Sequence, residues 1–550
     1  MRSTEQDNPF IIFATFFACF LLFFNIDNYY MGMDEGDYPT HALNILKYGV
    51  PQTEGHFFNP ILTVDGVWAY HPWLGMYLTA FSILILGQTT LAAKLFPILA
   101  FVFAIFQIYR LAYRLSEDNK DIARLTVLFF ICSVPLILYS RSTRHYSYAL
   151  FFYPLIINYY LDFLEKGKHA LIKFCVGSIL FFYACFVQFF GLMLGIGIHF
   201  LLFYLMDRKL LFSFFKGAFV IAVFTLPWLI HFPIQIKTNL DKFIQIYFMD
   251  NAGKDIFADN HFVWTIKFIL GCLAEINSYV FPAVLAIFLL KWFIRPLSNK
   301  IHVIPIVIIS LYLVGTVHNG PGMENTTGAA SLFLFLLALA CIEIKRKFNL
   351  PVFAGVVSLL LLTNFIHVIP WYAIKVSDSF FSLRERFSPE SYISESVLRR
   401  SISNARLQFI FINYLQELFH EYDSSLKAIT SYINEHKKPT DTFLAAHEEM
   451  EVGYYTNLKP AVAFPFNRPP AWIIPRKNYR LNPYKKIEPR EVSIERHRKI
   501  LDYVKNNNYK EIVLDSIDMG FENSTNIQVH KFKKPKTGVP VVIYHKETAS

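Results

Sequence analysis

The chain has 550 residues, of which 54% are hydrophobic and only 17% are charged, and 57 of them are phenylalanine. A soluble domain carries about 25% charged residues, so this composition excludes an ordinary soluble protein and predicts a polytopic α-helical membrane protein. The net charge of +10 does not indicate nucleic-acid binding. Most Lys and Arg of the short loops cluster on alternate loops, as the positive-inside rule requires.

The first apolar run, residues 9–24, lies within a predicted first span at 9–28 and could be taken for a signal peptide. It lacks a small-residue cleavage site and a strongly basic start, so it predicts a retained first membrane span. The six cysteines all fall in apolar segments. The sequence therefore predicts neither a disulfide framework in the polar C-terminal region nor a Cys-x-x-Cys metal site.

A long polar loop, residues 29–73, follows the first span, and three carboxylates stand near its start. Asp34, Glu35 and Asp37 follow one another closely at the mouth of the span. A carboxylate in this place is suited to act as a general base on a hydroxyl acceptor or to hold a divalent cation. The alternative is that these acids are solvated loop residues or contacts to lipid headgroups.

The remaining apolar runs bring the predicted number of spans to about eleven, at ~20 residues for each crossing. Residues 73–86 are too short for a crossing and favour an interfacial or re-entrant helix. The later spans are predicted at 90–113, 147–164, 211–231, 301–317 and 351–370, and in a hairpin across 171–206 that turns near 188–191. Three more spans are predicted by their ends, at about residues 139, 291 and 345.

The distribution of basic loops predicts the orientation of the chain. With the N-terminus in the cytoplasm, the Lys- and Arg-rich loops at 110–124, 166–173, 208–216, 291–300 and 345–347 all fall on the cytoplasmic side. The loop of residues 29–73, which carries the three carboxylates and which we call the acidic loop, then lies outside, as does the C-terminal region. We expect a multi-pass protein of the plasma (inner) membrane.

Basic residues on the outer side run against this bias. Arg141 and Arg144 follow the outer end of the third span, and Lys94 lies near the outer end of the second. The planar donor fork of arginine suits a phosphate group, so these residues predict an anion site. Snorkelling cations at the interface are the alternative. His71, before Pro72, is a weaker candidate.

A second outer loop carries His318 and Glu324 on either side of a Gly- and Pro-rich turn. These side chains are candidates for a contact to a headgroup or a metal. Their spacing is not a recognised zinc spacing, so the metal interpretation is the less favoured one.

Residues 375–550 contain no apolar run that is long enough to span, and helical and strand patterns alternate along them. This arrangement predicts a small α/β domain. The patterns predict helices at 424–435 and 494–506, and strands at 442–446, 472–474, 511–515, 526–532 and 539–545.

Four short motifs follow one another in a familiar order. They are Asp34-Glu35-x-x-Tyr38, His71-Pro72-x-Leu74, Gly87 with Ala92-Ala93-Lys94-Leu95, and Ser140-Arg141-x-x-Arg144-x-Tyr146. This set resembles the GT-C superfamily of polyprenyl-phosphate-sugar glycosyltransferases. The most similar branch holds relatives of protein O-mannosyltransferase and of the lipid A aminoarabinose transferase. The resemblance covers about residues 10–200 well and the later spans loosely.

The resemblance implies a function and a set of roles. Asp34, with Glu35 beside it, takes the place of the catalytic acid. A hexose or pentose moves from a polyprenyl-phosphate donor to a hydroxyl of a protein or glycolipid acceptor, in one inverting displacement. The residues around the donor phosphate or sugar are Tyr38, His71, Lys94, Arg141, Arg144, Tyr146, His318 and Glu324. Tyr146 stands where some members carry an aspartate, so the resemblance supplies no second catalytic carboxylate there.

Two other classes of function are open to a chain of this kind. A transporter or flippase of a lipid-linked sugar also has about this number of spans, and an envelope assembly scaffold is a third possibility. Transporters tend to place ionisable residues near mid-membrane in broken helices. Here the charges stand at the ends of spans, which favours the enzyme.

Overall fold

The computed structural model describes residues 7–28, 31, 35–52, 63–64, 66–68, 71–236, 299–318, 323–363, 409–419, 425–445, 449–461, 469–475, 490–518 and 536–546. The chain divides into two compact units. The first holds Met1–Phe24, Pro97–Gln416 and Thr525–Gln528, and the second holds Asn25–Phe96, Glu417–Ser524 and Val529–Ser550. The acidic loop therefore belongs to the same unit as most of the C-terminal region.

Helices make up most of the described residues. In chain order they are α1 (Asn8–Phe23), α2 (Asp37–Tyr48), α3 (Leu74–Leu86), α4 (Thr90–Leu115), α5 (Lys120–Ile131), α6 (Val134–Ser140), α7 (Tyr146–Lys166), α8 (Lys168–Ala184), α9 (Phe186–Tyr204), α10 (Arg208–Ile236), α11 (Val303–His318), α12 (Met323–Lys347), α13 (Leu350–Leu362), α14 (Ile410–Leu418), α15 (Ser425–His436), α16 (Glu449–Thr456) and α17 (Arg490–Asn506). Short 3-10 turns cover Ile26–Asn28 and Asn299–His302.

The strands are short at the start of the chain and longer near its end. They are β1 (Thr63–Val64), β2 (Val67–Trp68), β3 (Thr442–Ala445), β4 (Lys459–Pro460), β5 (Trp472–Ile474), β6 (Tyr509–Asp518) and β7 (Lys536–Lys546). The predicted strand at 526–532 lies outside the described residues.

The first unit is a bundle of apolar helices. Within the described ranges, four helices have the length and apolarity of a membrane crossing, and the bent pair α5–α6 adds a fifth if it counts as one span. These four are α4, α9, α10 and the part of α12 from Thr327 onward. Large apolar side chains such as Phe212 and Phe219 on α10 are exposed, as expected for a surface that faces lipid. The chain is therefore a membrane protein. The predicted span that ends near 291 lies outside the described residues.

Two predicted spans differ in detail from the helices observed. The third span is predicted as one run, but α5 and α6 meet at a bend of 62°. Pro135 stands in the first turn of α6, where its missing N–H costs nothing. The predicted hairpin turn near 188–191 is wrong by several residues, because the break between α8 and α9 falls at Cys185, in an extended conformation.

Helices α9 and α11 approach each other closely along a pair of glycines. A Cβ atom added at Gly191 would lie 2.7 Å from Leu311 Cα, and one at Gly195 would lie 2.6 Å from Val307 Cα. The two glycines are four residues apart and so share one face of α9. Small residues at this spacing let membrane helices pack backbone to backbone. The same sequence feature that suggests a turn therefore serves packing here.

Charged side chains at one end of the bundle pair with each other. Asp162 on α7 accepts hydrogen bonds from Arg110 (2.7 Å) and Arg114 (3.1 Å), both on α4. Glu165 pairs with Arg114 (2.5 Å) and with Lys300 (2.6 Å). Asp7, just before α1, pairs with Arg124 at 2.5 Å and accepts a hydrogen bond from the Tyr109 hydroxyl. The beginning of the chain therefore shares this end with the basic loops.

The second unit contains two packed regions of its own. In its N-terminal part, α2 packs on α3, and β1 pairs with β2 in a two-stranded antiparallel ribbon. In its C-terminal part, a five-stranded sheet has the order β4-β3-β5-β7-β6, with β3 parallel to β4 and β5 and with β7 antiparallel to β5 and β6. Trp472 on β5 is buried in the core of this sheet, and its Nε1 donates to Asp441 at 3.0 Å.

Candidate functional site

Of the three acids of the loop, Glu35 and Asp37 belong to the described part of the chain. Glu35 is buried, Gly36 follows it, and Asp37 is the first residue of α2. The partial positive charge at the N-terminus of a helix favours a carboxylate in this position. Asp34, the predicted catalytic base, lies outside the described residues, as does Met33.

Aromatic side chains pack around the beginning of α2. Tyr38 and His41 are both buried, and the ring of His41 lies 4.7 Å from that of Trp68, centroid to centroid. The ring of His71 lies 6.4 Å from Tyr38 and 6.3 Å from Trp68. Tyr38 and His71, both predicted site residues, therefore lie near each other although they are far apart in the sequence.

His41 is a functional candidate that the sequence analysis did not single out. Its side chain is 0% exposed, and this burial lowers its pKa to about 3. An imidazole with such a pKa is neutral at physiological pH. It stands one helical turn after Asp37, on the helix that the acidic loop leads into, and this spacing was the signal available in the sequence.

Lys94 lies near the start of α4 and is only 2% exposed. A lysine is rarely buried to this degree unless its ammonium group is paired. In the same unit, α3 begins directly after Trp73, whose indole N–H donates to the carbonyl of Trp68 at 2.8 Å. Ala92 and Ala93, which directly precede Lys94 in the motif, belong to the core cluster around Tyr38 and Trp68. Lys94 therefore stands beside the core of the acidic-loop region.

Helix α16 of the C-terminal region packs directly on the acidic loop. The backbone N–H of Gly36 donates to Oε1 of Glu451 at 3.0 Å, and Glu451 is only 3% exposed. The Tyr455 hydroxyl accepts from the N–H of Met31 at 3.3 Å and lies 3.1 Å from the Thr90 hydroxyl. These contacts could not be predicted from the sequence, because a glutamate in a short helix carries no signal of burial.

Arg141 holds the C-terminal end of α1 in the first unit. Its Nη1 donates to the carbonyl oxygens of Leu21 (3.2 Å) and Phe24 (3.3 Å) and to the Tyr414 hydroxyl (3.1 Å). The Tyr414 hydroxyl in turn donates to Leu21 at 2.8 Å. The last carbonyls of a helix lack intrahelical donors, and Arg141 supplies them here. The acidic loop follows from this end of α1 along the chain.

Arg144 and Tyr146 lie at the beginning of α7, also in the first unit. The guanidinium carbon of Arg144 lies 5.8 Å from the centre of the Tyr146 ring, and Tyr146 meets Tyr139 edge to face at 5.0 Å. The backbone carbonyl of Tyr146 accepts from the Thr327 hydroxyl at 3.4 Å. The start of α7 is thereby connected to the first turns of α12.

Gln188 joins the start of α7 to the first turns of α12 through its side-chain amide. Its Nε2 donates to the Thr327 hydroxyl at 2.8 Å, its Oε1 accepts from the Gly328 N–H at 2.8 Å, and its backbone carbonyl accepts from the Tyr153 hydroxyl at 2.9 Å. All these groups are buried. Buried polar networks of this kind fix one arrangement of the helices that carry them.

His318 is the last residue of α11, and Glu324 stands in the first turn of α12. Their side chains lie outside what the structure describes, so their predicted roles stay predictions. Among the residues that are described, no three His, Cys, Asp or Glu side chains lie close enough together to hold a metal ion. Asp34 is not among those residues.

Fold and site together define the class of this protein. It is a polytopic helical membrane protein in which an acidic loop follows the first helix, and in which a C-terminal helix, α16, contacts that loop at Gly36. No protein-family model matches the sequence, and no curated protein matches it either.

Two solved structures are similar to this chain over nearly its whole length. They are ArnT from Cupriavidus metallidurans bound to undecaprenyl phosphate and the same protein in the apo state. The bound form has a TM-score of 0.50 and covers 98% of this chain and 98% of its own. The apo form has a TM-score of 0.51 and covers 99% and 98%. Sequence identity is 11% in both. At this identity the likeness shows the fold, and that fold is the one that ArnT has over nearly the whole length of both chains.

Proposed function

We propose that this chain is a membrane glycosyltransferase that moves a sugar from a polyprenyl-phosphate donor to a hydroxyl group of an extracytoplasmic acceptor. The observation that carries this proposal is the end-to-end likeness to ArnT, which was solved with undecaprenyl phosphate bound. The order of the four sequence motifs supports it independently, since those motifs alone suggested the same superfamily.

The proposed reaction is a single displacement at the anomeric carbon of the sugar. The acceptor oxygen forms a bond to that carbon, and the bond between the carbon and the phosphate oxygen breaks on the opposite face. Asp34 accepts the proton of the acceptor hydroxyl, and the polyprenyl phosphate leaves with the electron pair of the broken bond. One displacement inverts the configuration of the sugar.

The leaving phosphate requires positive charge and hydrogen-bond donors nearby. We assign this role to Arg144 and Lys94, with Tyr38, His71 and Tyr146 around the sugar or the phosphate. Arg144 is a better candidate than Arg141, because the Nη1 group of Arg141 already donates to the end of α1.

His318, at the end of α11, and Glu324, in the first turn of α12, complete the proposed set. The acceptor is a protein or a glycolipid, and a divalent cation held by Asp34, Glu35 and Asp37 is compatible with the chemistry. No step of the proposed reaction depends on such a cation.

The proposed orientation places the N-terminus and the basic helix ends in the cytoplasm and the C-terminal region outside, in a plasma (inner) membrane protein with about eleven spans. The contacts of Asp7 support it. Because Asp7 pairs with Arg124, the start of α1 lies at the same end of the bundle as a basic loop.

The test is transfer of radiolabelled sugar from a defined polyprenyl-phosphate donor in membranes. We expect Asp34→Asn to lower the rate by about 100-fold or more, since a general base contributes 10²–10⁴-fold, and to leave the thermal midpoint unchanged. The matched control is Asp118→Asn, which alters an exposed acid between α4 and α5 and should transfer normally.

Two results would contradict the proposal. Near-normal transfer by Asp34→Asn would remove Asp34 from the role of base. Absence of transfer by the wild type, with the donor itself crossing the bilayer, would identify a flippase instead.

A further inference from the structure

A buried carboxylate of the C-terminal region contacts the backbone of the acidic loop itself. Glu451 accepts the hydrogen bond of the Gly36 N–H at 3.0 Å, and both groups are buried. A buried N–H that loses its acceptor gains no hydrogen bond to water in exchange and is left unsatisfied. The hydrogen bond to Glu451 therefore favours the observed position of the loop backbone at Gly36. Gly36 is flanked by Glu35 and Asp37, two of the three predicted acids.

The identity of residue 36 supports the same conclusion. Gly36 has φ −65° and ψ −20°, an ordinary right-handed conformation that any residue adopts. The backbone therefore does not require a glycine here. Space does, because an added Cβ would lie 2.7 Å from Met450 Cβ and 2.9 Å from Glu451 Cδ. The glycine permits the loop to touch α16 directly.

Further contacts of α16 reach the segments on either side of the loop. Tyr455 contacts Met31 and Thr90 through its hydroxyl, and the Tyr454 hydroxyl donates to the carbonyl of Thr89 at 3.0 Å. Tyr454 is itself part of the core cluster that contains Tyr38. The helix thus contacts the residues just before the acids, the loop backbone and the start of α4.

We propose that α16 fixes the acidic loop in its reactive position and that Glu451 is a positioning residue of the sugar transfer. This inference rests on the function proposed above. A base must lie within hydrogen-bond reach of the proton that it removes. A misplacement of about 1 Å can lower a rate about 100-fold. A loop that has lost its contact to α16 would retain every catalytic side chain and still react slowly.

The experiment compares Glu451→Ala and Glu451→Gln in the full-length protein. Alanine removes the acceptor of the Gly36 N–H, whereas the amide oxygen of glutamine preserves it. We expect Glu451→Ala to lower kcat by about 10-fold or more with less than about a twofold change in KM for the donor, and Glu451→Gln to stay within about threefold of the wild type. Glu435→Ala, an exposed acid on the neighbouring helix α15, is the matched control and should behave as the wild type.

A second substitution tests the contact from the other side. Gly36→Ala is expected to lower kcat in the same way, because its new Cβ pushes the loop away from α16. Gly197→Ala is the matched control, since an added Cβ at this helical glycine meets nothing within 4 Å. Normal kcat in both Gly36→Ala and Glu451→Ala would overturn the proposal, as would equal impairment of Glu451→Gln and Glu451→Ala.

Hydrogen–deuterium exchange at the peptide that contains Gly36 tests the positioning without any assay of activity. Faster exchange in Glu451→Ala than in Glu451→Gln, Glu435→Ala and the wild type is the expected result. Unchanged exchange in Glu451→Ala would overturn the positioning role even if the enzyme is confirmed. Conversely, a wild type that transfers no sugar while exchange responds as expected would reject the proposed function and leave the contact established.

Discussion

Charged side chains are arranged differently in two regions of this molecule. At the basic ends of the helices in the first unit, acids and bases pair with each other, as Asp162 does with Arg110 and Arg114. Around the acidic loop of the second unit, charged or titratable groups are buried against backbone and aromatic groups. Glu451 accepts from a backbone amide, and His41 lies on Trp68.

The two arrangements predict different consequences for a substitution. In an ion pair between helix ends, the two opposite charges satisfy each other, and loss of the pair lowers the stability of the bundle. A carboxylate that is held against the backbone of a loop determines where that loop lies, and its loss affects what the loop does. We therefore expect substitutions in the first region to lower the thermal midpoint, and substitutions in the second to lower turnover.

The largest expected effect on stability is that of Asp162→Ala. The substitution leaves Arg110 and Arg114 without their shared acceptor in a partly buried place. Removal of one partner from a fully buried pair costs 3–5 kcal/mol. Because the Arg110 side chain is 42% exposed, solvent screens part of its interaction with Asp162. We therefore expect Asp162→Ala to lower the free energy of unfolding by about 2 kcal/mol.

Thermal unfolding in detergent, together with transfer per folded molecule, checks this prediction. Transfer per folded molecule should stay at the level of the wild type, with Asp118→Asn as the control for a loss of negative charge. A loss of turnover as large as that of Asp34→Asn would show that the two regions do not differ in the way described.

The next effect arises only as the pH falls, and it is expected from His41. The folded-state pKa is about 3, below the ordinary value of about 6.5, so the unfolded chain binds one more proton between these two pH values. Stability is therefore complete above pH 6.5 and falls as the pH decreases, by at most about 1.4 kcal/mol for each pH unit.

The measurement is the thermal midpoint of the wild type and of His41→Gln between pH 7.5 and pH 5 (values chosen around the ordinary histidine pKa of about 6.5). The neutral glutamine should reduce the slope below pH 6.5 and leave the plateau above it flat. Identical slopes in the two proteins would show that His41 is not the group that titrates.

How much of this fold the sequence predicts depends on whether a local pattern is sufficient. The sequence predicts a span over 90–113, and α4 covers Thr90–Leu115. It predicts strands at 442–446 and 472–474, and β3 and β5 lie at Thr442–Ala445 and Trp472–Ile474. These elements are bounded by charged or turn-forming residues, so composition along the chain is enough to place them.

The misplaced hairpin turn shows where local patterns fail. Gln188 and Gly191 are turn signals in an apolar run, and the prediction puts the turn there. In the structure the amide of Gln188 is satisfied by Thr327 and Gly328, and Gly191 lets α9 approach Leu311. The two residues are explained by two helices, α12 and α11, that lie more than 100 residues further along the chain, and no window of sequence contains them.

The candidate site divides in the same way. The acids of the loop and the pair Tyr38 and His71 are visible as motifs, whereas Glu451 is not, because its contact to Gly36 spans 415 residues. The motif residue Arg141 is buried on the end of α1, which the pattern did not indicate. Motifs thus identify residues that matter, and the structure is required to say whether each one contacts a ligand or another part of the chain.

The smallest effect is expected for a surface pair at the basic end of α12. Lys345 donates to Asp121 at 2.8 Å, with the two side chains 43% and 50% exposed. Exposed pairs contribute about 0.2–1 kcal/mol and are screened by salt. Lys345→Ala should therefore lower the thermal midpoint slightly at low salt and not at all at high salt, while Asp162→Ala keeps most of its effect under both conditions. Equal salt dependence of the two variants would mean that burial does not distinguish these ion pairs. Burial would then not explain why the ion pairs of the first unit differ from the charged groups around the acidic loop.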